Sequence, residues 1–155
     1  DIIEYIINII HFNKKLGVWK LNWTIKAYLF LMALMYSWIG LWAILDPFFI
    51  SLGFDYPSFL DVVGLSATSA LGLSEIAGIY GGLNICIGFM CLIGMFKTNI
   101  GLFSVKFITF LVGSIAFGRI LSSAILVNQD FLNTYFIFEV FAFTAGLAIL
   151  YYQKN

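Results

Sequence analysis

The chain has 155 residues, of which 62% are hydrophobic and only 10% are charged, whereas a soluble domain carries roughly 25% charged residues. This composition excludes a water-soluble protein and places the chain in a bilayer. The formal net charge of +0 also removes any basic excess that nucleic-acid binding would use. We predict an all-α integral membrane protein, a four-helix bundle with an N-terminal amphipathic interfacial helix.

Residues 1–26 form the predicted interfacial segment. Isoleucines in residues 1–12 cover one broad face and polar residues lie mostly elsewhere, which is typical of a short amphipathic helix in the membrane interface. Residues 13–26 combine lysines with Trp19 and Trp23, a mixture that suits the headgroup layer. We interpret this basic stretch as a topology signal and anchor, with a lipid-specific site as the alternative.

Residues 27–155 form the predicted bundle, and the uncharged run 27–45 is its first transmembrane helix. Asp46-Pro47 is predicted to end that helix, because a residue before proline is disfavoured in helical geometry. The connection 46–71 is long and contains no Lys or Arg. We predict a loop that partly re-enters the membrane or lies on its surface and packs over the bundle or against a partner.

The second transmembrane helix is predicted over 72–96, with Ser74 as its N-cap and Glu75 in its first turn. Glu75, Gly78 and Gly82 share one face by their spacing. The Gly78-xxx-Gly82 pair allows another helix to approach closely. Asn84 lies deeper in the membrane and must find a hydrogen-bond partner.

The third and fourth transmembrane helices are predicted over 101–123 and 132–152. Small residues at four-residue spacing in the third helix indicate a second close-packing stripe, made of Ser114, Gly118 and Ser122.

The distribution of lysines predicts the orientation of the bundle. Lysines occur in the N-terminal segment, in the turn at Lys97 and at Lys154, whereas the connections 46–71 and 124–131 contain none. By the positive-inside rule, both termini are cytoplasmic and the helices cross four times.

Three charged residues inside apolar helices form the candidate site: Glu75, Arg119 and Glu139. With the predicted orientation all three lie in the outer half of the membrane, where a lone charge costs several kcal/mol. The planar guanidinium can bridge one or both carboxylates. We predict a structural ion-pair cluster, with a ligand-binding or proton-relay site as the alternative. Further side chains able to complete such a pocket are Tyr80, Asn84, Ser122, Ser123 and Tyr135.

No enzyme constellation is apparent in the sequence. His11 is the only histidine, and Cys86 and Cys91 are five residues apart in one apolar segment, so metal-ligand spacing and a nucleophile–histidine set are missing. We therefore predict a protein without catalysis of its own and without a cofactor.

Short motifs resemble a known family. Glu75 precedes a Tyr80-Gly81-Gly82 step, Arg119 is late in the third helix, and Glu139 is in the fourth. In these features the chain resembles the bacterial four-helix membrane proteins of domain-of-unknown-function family 4345 over roughly residues 27–150. This chain has Ile76 where an arginine after the acid is often expected. The resemblance implies a four-helix fold and a bacterial inner membrane.

The function predicted from these features is a small accessory or structural subunit of a larger membrane complex. Its partners would be membrane lipids and other membrane subunits, contacted through Phe- and Ile-rich surfaces and the N-terminal helix. The alternatives are a small-ligand binding or transport protein that uses Glu75, Arg119 and Glu139, and a membrane enzyme acting on lipid or quinone.

Overall fold

The structure, a computed structural model, describes residues 22–53, 55–125 and 132–154. Its helices are α1 (Trp23–Ser51), α2 (Phe59–Val63), α3 (Ala70–Gly94), α4 (Thr98–Ile125) and α5 (Thr134–Lys154). Four of them, α1, α3, α4 and α5, are long and apolar enough to cross a membrane. This confirms the predicted all-helical membrane fold. The predicted amphipathic helix over residues 1–12 lies outside the described residues.

The spanning helices alternate in direction, with α1 in contact with the other three. Gly40 of α1 lies against Gly81 of α3, and Ser37 lies against Gly88, so residue numbers rise along one helix as they fall along the other. Side chains of α1, α3, α4 and α5 fill one core between them. One buried hydrogen bond links α1 to α5 in that core: the Tyr28 hydroxyl donates to the Ala142 carbonyl oxygen at 3.1 Å.

The first spanning helix continues through Asp46 and Pro47 to Ser51, so the prediction that it ends at residue 45 was wrong. Proline removes one helical hydrogen bond and costs about 3 kcal/mol in an ordinary helix interior. Here the Asp46 side chain is buried and bonded to the following segment, which anchors the turn that contains the proline. The helix instead ends next to Gly53, whose φ of 77° is in the left-handed region.

Residues 55–64, here named the cap segment, pack on the bundle at the C-terminal end of α1. This end of the bundle is the cap end, and the opposite end, with the α3–α4 connection at 95–97, is the turn end. The short helix α2 starts after Ser58, whose hydroxyl accepts from the Asp61 amide, and stops at Gly64 with φ 69°. The predicted packing of the connection on the bundle is confirmed for the cap segment.

The helix α3 begins at Ala70, two residues before the predicted start, and its N-cap is Ser69 rather than the predicted Ser74. It is α-helical over Ala70–Ile76 and Leu83–Gly94, with a π-helical turn over Ala77–Gly82 between them.

The π turn leaves backbone carbonyls that need other donors. The Leu83 amide bonds to the Gly78 carbonyl five residues back, which is the π-helical pattern. The Asn84 side chain donates to the Tyr80 carbonyl at 2.7 Å and to the Ile79 carbonyl at 3.4 Å. The partner that Asn84 was predicted to need is therefore its own helix, and the amide stabilises the wide turn.

Candidate functional site

Arg119 of α4 and Glu139 of α5 form an ion pair near the cap end. The Arg119 Nε donates to both carboxylate oxygens of Glu139, at 3.0 Å each. The Glu139 side chain is only 10% exposed, whereas the Arg119 side chain is 37% exposed. The pair therefore neutralises a carboxylate that would otherwise be buried alone. It also ties α4 to α5, helices that pack along much of their lengths.

The guanidinium uses only part of its hydrogen-bonding capacity in this pair. A fully paired arginine engages a carboxylate through two parallel N–H groups, often with Nη donors. Here Nε alone serves both carboxylate oxygens, and Nη1 and Nη2 have no hydrogen bond to the residues that the structure describes. Four N–H bonds on the exposed side of the arginine are thus left for another acceptor.

Glu75 does not join this pair in the described part of the chain. It is exposed on α3, and the salt bridge of Arg119 is made with Glu139. The reason is the packing of α3. Its Leu83–Gly94 portion packs against both α1 and α4, whereas its π turn Ala77–Gly82 packs against α1. The predicted cluster of three charges is therefore a pair, with a separate carboxylate on α3.

Three of the other predicted pocket residues, Tyr80, Asn84 and Ser123, pack against or bond to groups outside the pair. The Tyr80 ring lies edge-on to Phe59 of the cap segment, with ring centroids 5.7 Å apart. Asn84 bonds to its own helix backbone, and the Ser123 hydroxyl donates to the Ile120 carbonyl. Ser122 lies one turn after Gly118 and is half-buried.

Tyr135 belongs to the contact between α5 and the cap segment. Its hydroxyl lies 3.4 Å from the Val62 carbonyl oxygen, a long hydrogen bond. Because Tyr135 precedes Glu139 by one helical turn, the cap segment lies on the same side of α5 as the ion pair.

The glycines of both small-residue stripes predicted for close helix packing lie on exposed surfaces. A Cβ added at Gly78 or at Gly118 would meet nothing within 4 Å, and at Gly82 only its own helix at 4.0 Å. Ser114 is also exposed and donates to the Phe110 carbonyl. Lipid is as apolar as a helix interface, so residue spacing identifies such a stripe without telling which way it faces.

Other glycines make the close helix contacts instead. A Cβ at Gly40 would lie 2.8 Å from the Gly81 carbonyl oxygen, and one at Gly94 would lie 3.0 Å from the Gly101 Cα. These contacts join α1 to α3 and α3 to α4. They leave one side of α3 uncovered, formed by Glu75, Gly78, Gly82 and Cys86, which we name the exposed α3 face.

Sequence reasoning missed a buried junction at the cap end. Asp46 is 3% exposed, and its Oδ1 accepts from the Phe59 amide and from the Tyr56 hydroxyl, at 2.9 Å each. Phe59 is buried against the Trp42 ring, at a centroid distance of 5.6 Å. The only available signal was an acid beside Pro47, which was interpreted as the end of a helix.

The same junction changes the acidity of Tyr56. Desolvation raises its pKa above the ordinary value, and the hydrogen bond to Asp46 and the negative charge of that carboxylate raise it further. The neutral hydroxyl is therefore the form that holds the cap segment to α1.

Comparison with known proteins gives no relative for this chain. No protein-family model matches it, and searches of curated proteins and of solved structures found no match. The resemblance to family 4345 therefore stays a prediction. Within the described residues, no group of three or more His, Cys, Asp or Glu side chains is placed to hold a metal ion.

Proposed function

We propose that this protein is a non-catalytic accessory subunit of a larger membrane complex and that the exposed α3 face is its docking surface. The observation that carries the proposal is the open space over Gly78 and Gly82. Small residues at this spacing let two helix backbones approach closely, and such contacts drive association in lipid, where burial of apolar surface contributes little. The four apolar helices support an integral membrane protein.

The carboxylate on this face indicates the chemistry of the partner. Glu75 is exposed in the first part of α3, and no salt bridge joins it to another described residue. A partner helix with small residues at the crossing and a Lys or Arg at the level of Glu75 would complement this surface. We therefore propose a transmembrane helix of a different protein as the occupant.

A second copy of this chain fits the face less well. Two copies share one membrane topology, so a symmetric contact through α3 must be parallel and would place one Glu75 next to the other. Like charges in a weakly screened region repel, which disfavours the homodimer.

The proposal includes a location. Lysines at the turn end of the bundle support cytoplasmic termini. The resemblance to family 4345 supports a bacterial inner membrane. Membrane lipids would cover the remaining apolar surfaces, and the N-terminal segment is a further candidate contact for the complex.

A second function would use the Arg119–Glu139 pair as a ligand site. The incomplete hydrogen bonding of Arg119 favours this function. Such a ligand site would consist of Arg119 and Glu139 without Glu75.

The proposal is tested by solubilising native membranes in mild detergent and separating complexes by size. We expect the wild-type protein to migrate with one larger complex of defined composition. Gly82→Leu, which fills the open face, should release it as a free subunit. Gly118→Leu is the matched control, because it adds the same side chain at another open glycine, on α4. Migration of the wild-type protein as a monomer or a homodimer alone would contradict the proposal.

A further inference from the structure

The exposed side of Arg119 is the strongest unexplained polar feature in the spanning part of the protein. The Nε is fully used by Glu139, while Nη1 and Nη2 have no partner among the described residues. A polar N–H in hydrocarbon without an acceptor costs several kcal/mol. An acceptor other than the residues that the structure describes must therefore complete the hydrogen bonding of Arg119.

The depth of Arg119 limits what that acceptor is. Arg119 precedes the end of α4 at Ile125 by six residues, or about 9 Å at 1.5 Å per residue. A long side chain can direct its head group over part of this distance towards the membrane surface. The phosphate of a lipid headgroup is the abundant acceptor in that layer, and hydrocarbon tails provide none.

The shape of the surface around Arg119 leaves room for a ligand. The neighbouring Gly118 has no atom within 4 Å of an added Cβ. The part of α3 nearest the cap end packs against α1, and the Arg119 side chain is 37% exposed. Among the described residues, the approach to the guanidinium is therefore open.

We propose that the two terminal amino groups of Arg119 bind a phosphate group, with a phospholipid headgroup as its source. Two parallel N–H groups of a guanidinium match two phosphate oxygens. Because Glu139 neutralises the arginine, directed hydrogen bonds rather than net charge hold the phosphate. Phosphatidylglycerol and phosphatidylcholine should then both bind, whereas a galactolipid without phosphate should not. This proposal is independent of the docking surface on α3.

Native mass spectrometry of the full chain in detergent tests the proposal, with these three lipids added separately. We expect the wild-type protein to retain one phospholipid of either kind. The double variant R119Q/E139Q removes the guanidinium without leaving Glu139 unpaired, and should lower the retained fraction about tenfold, as expected for the loss of charge-assisted hydrogen bonds. R119K is the second variant, because it keeps the ion pair but loses the planar fork, and it should also retain less. The control K97Q removes an exposed cation at the turn end and should retain lipid as the wild type does.

A parallel thermal-unfolding measurement with inorganic phosphate identifies the source. Lipid retention without stabilisation by inorganic phosphate confirms the headgroup. Stabilisation by inorganic phosphate that R119Q/E139Q abolishes, without lipid retention, keeps Arg119 as a phosphate site but overturns the headgroup as its source. Equal retention of the galactolipid, or undiminished phospholipid retention by both Arg119 variants, overturns the proposal.

Discussion

At the scale of single residues, the Arg119–Glu139 pair decides whether a buried carboxylate is tolerated in the bundle. Glu139 is nearly buried, and both of its oxygens receive the same Nε–H of Arg119. Removing one partner leaves the other charge without compensation, whereas removing both does not. The energetic role of the pair therefore differs between single and double substitution.

We expect Arg119→Gln alone to lower the free energy of unfolding by about 2–4 kcal/mol, somewhat less than for a fully buried pair because Arg119 is partly exposed. The double variant R119Q/E139Q should remain within about 1 kcal/mol of the wild type. Unfolding in mixed detergent micelles measures both. Equal destabilisation by the single and double variants would contradict a stabilising ion pair.

The sequence predicted this pair from its charges alone. A carboxylate and a guanidinium in apolar helices need partners, and Arg119 does bond to Glu139. The sequence left open whether Arg119 bridges Glu75, Glu139 or both, and the described structure pairs it with Glu139. The π turn at Ala77–Gly82 and its packing on α1 are set by tertiary contacts that no local pattern contains.

At the scale of helices, glycine positions separate buried crossings from open surface. Gly40 meets backbone atoms of α3, the Gly81 oxygen and the Ile85 nitrogen, both at 2.8 Å from an added Cβ. Backbone cannot move aside as a flexible side chain can. Gly78 lies on the same neighbouring helix but faces open space.

We expect Gly40→Ala to destabilise the protein by about 1–3 kcal/mol through overpacking of α1 against α3. Gly78→Ala should be neutral or slightly stabilising, because it only replaces glycine in a helix. Thermal unfolding of the two variants in the same detergent compares them directly. An equal loss of thermal stability in both variants would show that Gly78 also lies where two helices pack closely.

The junction at Asp46 holds the cap segment to α1. Asp46→Leu removes the acceptor of the Phe59 amide and of the Tyr56 hydroxyl. We expect amide hydrogen exchange in residues 55–64 to rise about tenfold or more, consistent with leaving buried donors unsatisfied. Asp46→Asn is the control, because its amide oxygen still accepts, and exchange should change less. Unchanged exchange in both variants would exclude an anchoring role for Asp46.

At the scale of the whole molecule, composition and hydropathy predicted the helical membrane fold, because a bilayer demands long apolar helices and little else. The same physics explains why the faces were misassigned. Core and lipid are equally apolar, so Gly78 and Gly118 gave the same signal whether they faced a helix inside the bundle or the membrane. Only the fold shows whether each group of small residues faces another helix of the bundle or the membrane.

The most direct test of the central claim uses Cys86, an exposed thiol on the exposed α3 face. A photo-reactive amino acid placed at position 86 during synthesis, before a partner helix covers the face, should form an adduct with one membrane protein in native membranes. Sequencing of the linked peptide should place the site in a transmembrane helix with small residues and a Lys or Arg at the level of Glu75. Gly82→Leu should abolish the adduct, and Gly118→Leu should preserve it. Only lipid adducts, only adducts with another copy of this chain, or protein adducts unaffected by Gly82→Leu would contradict the account.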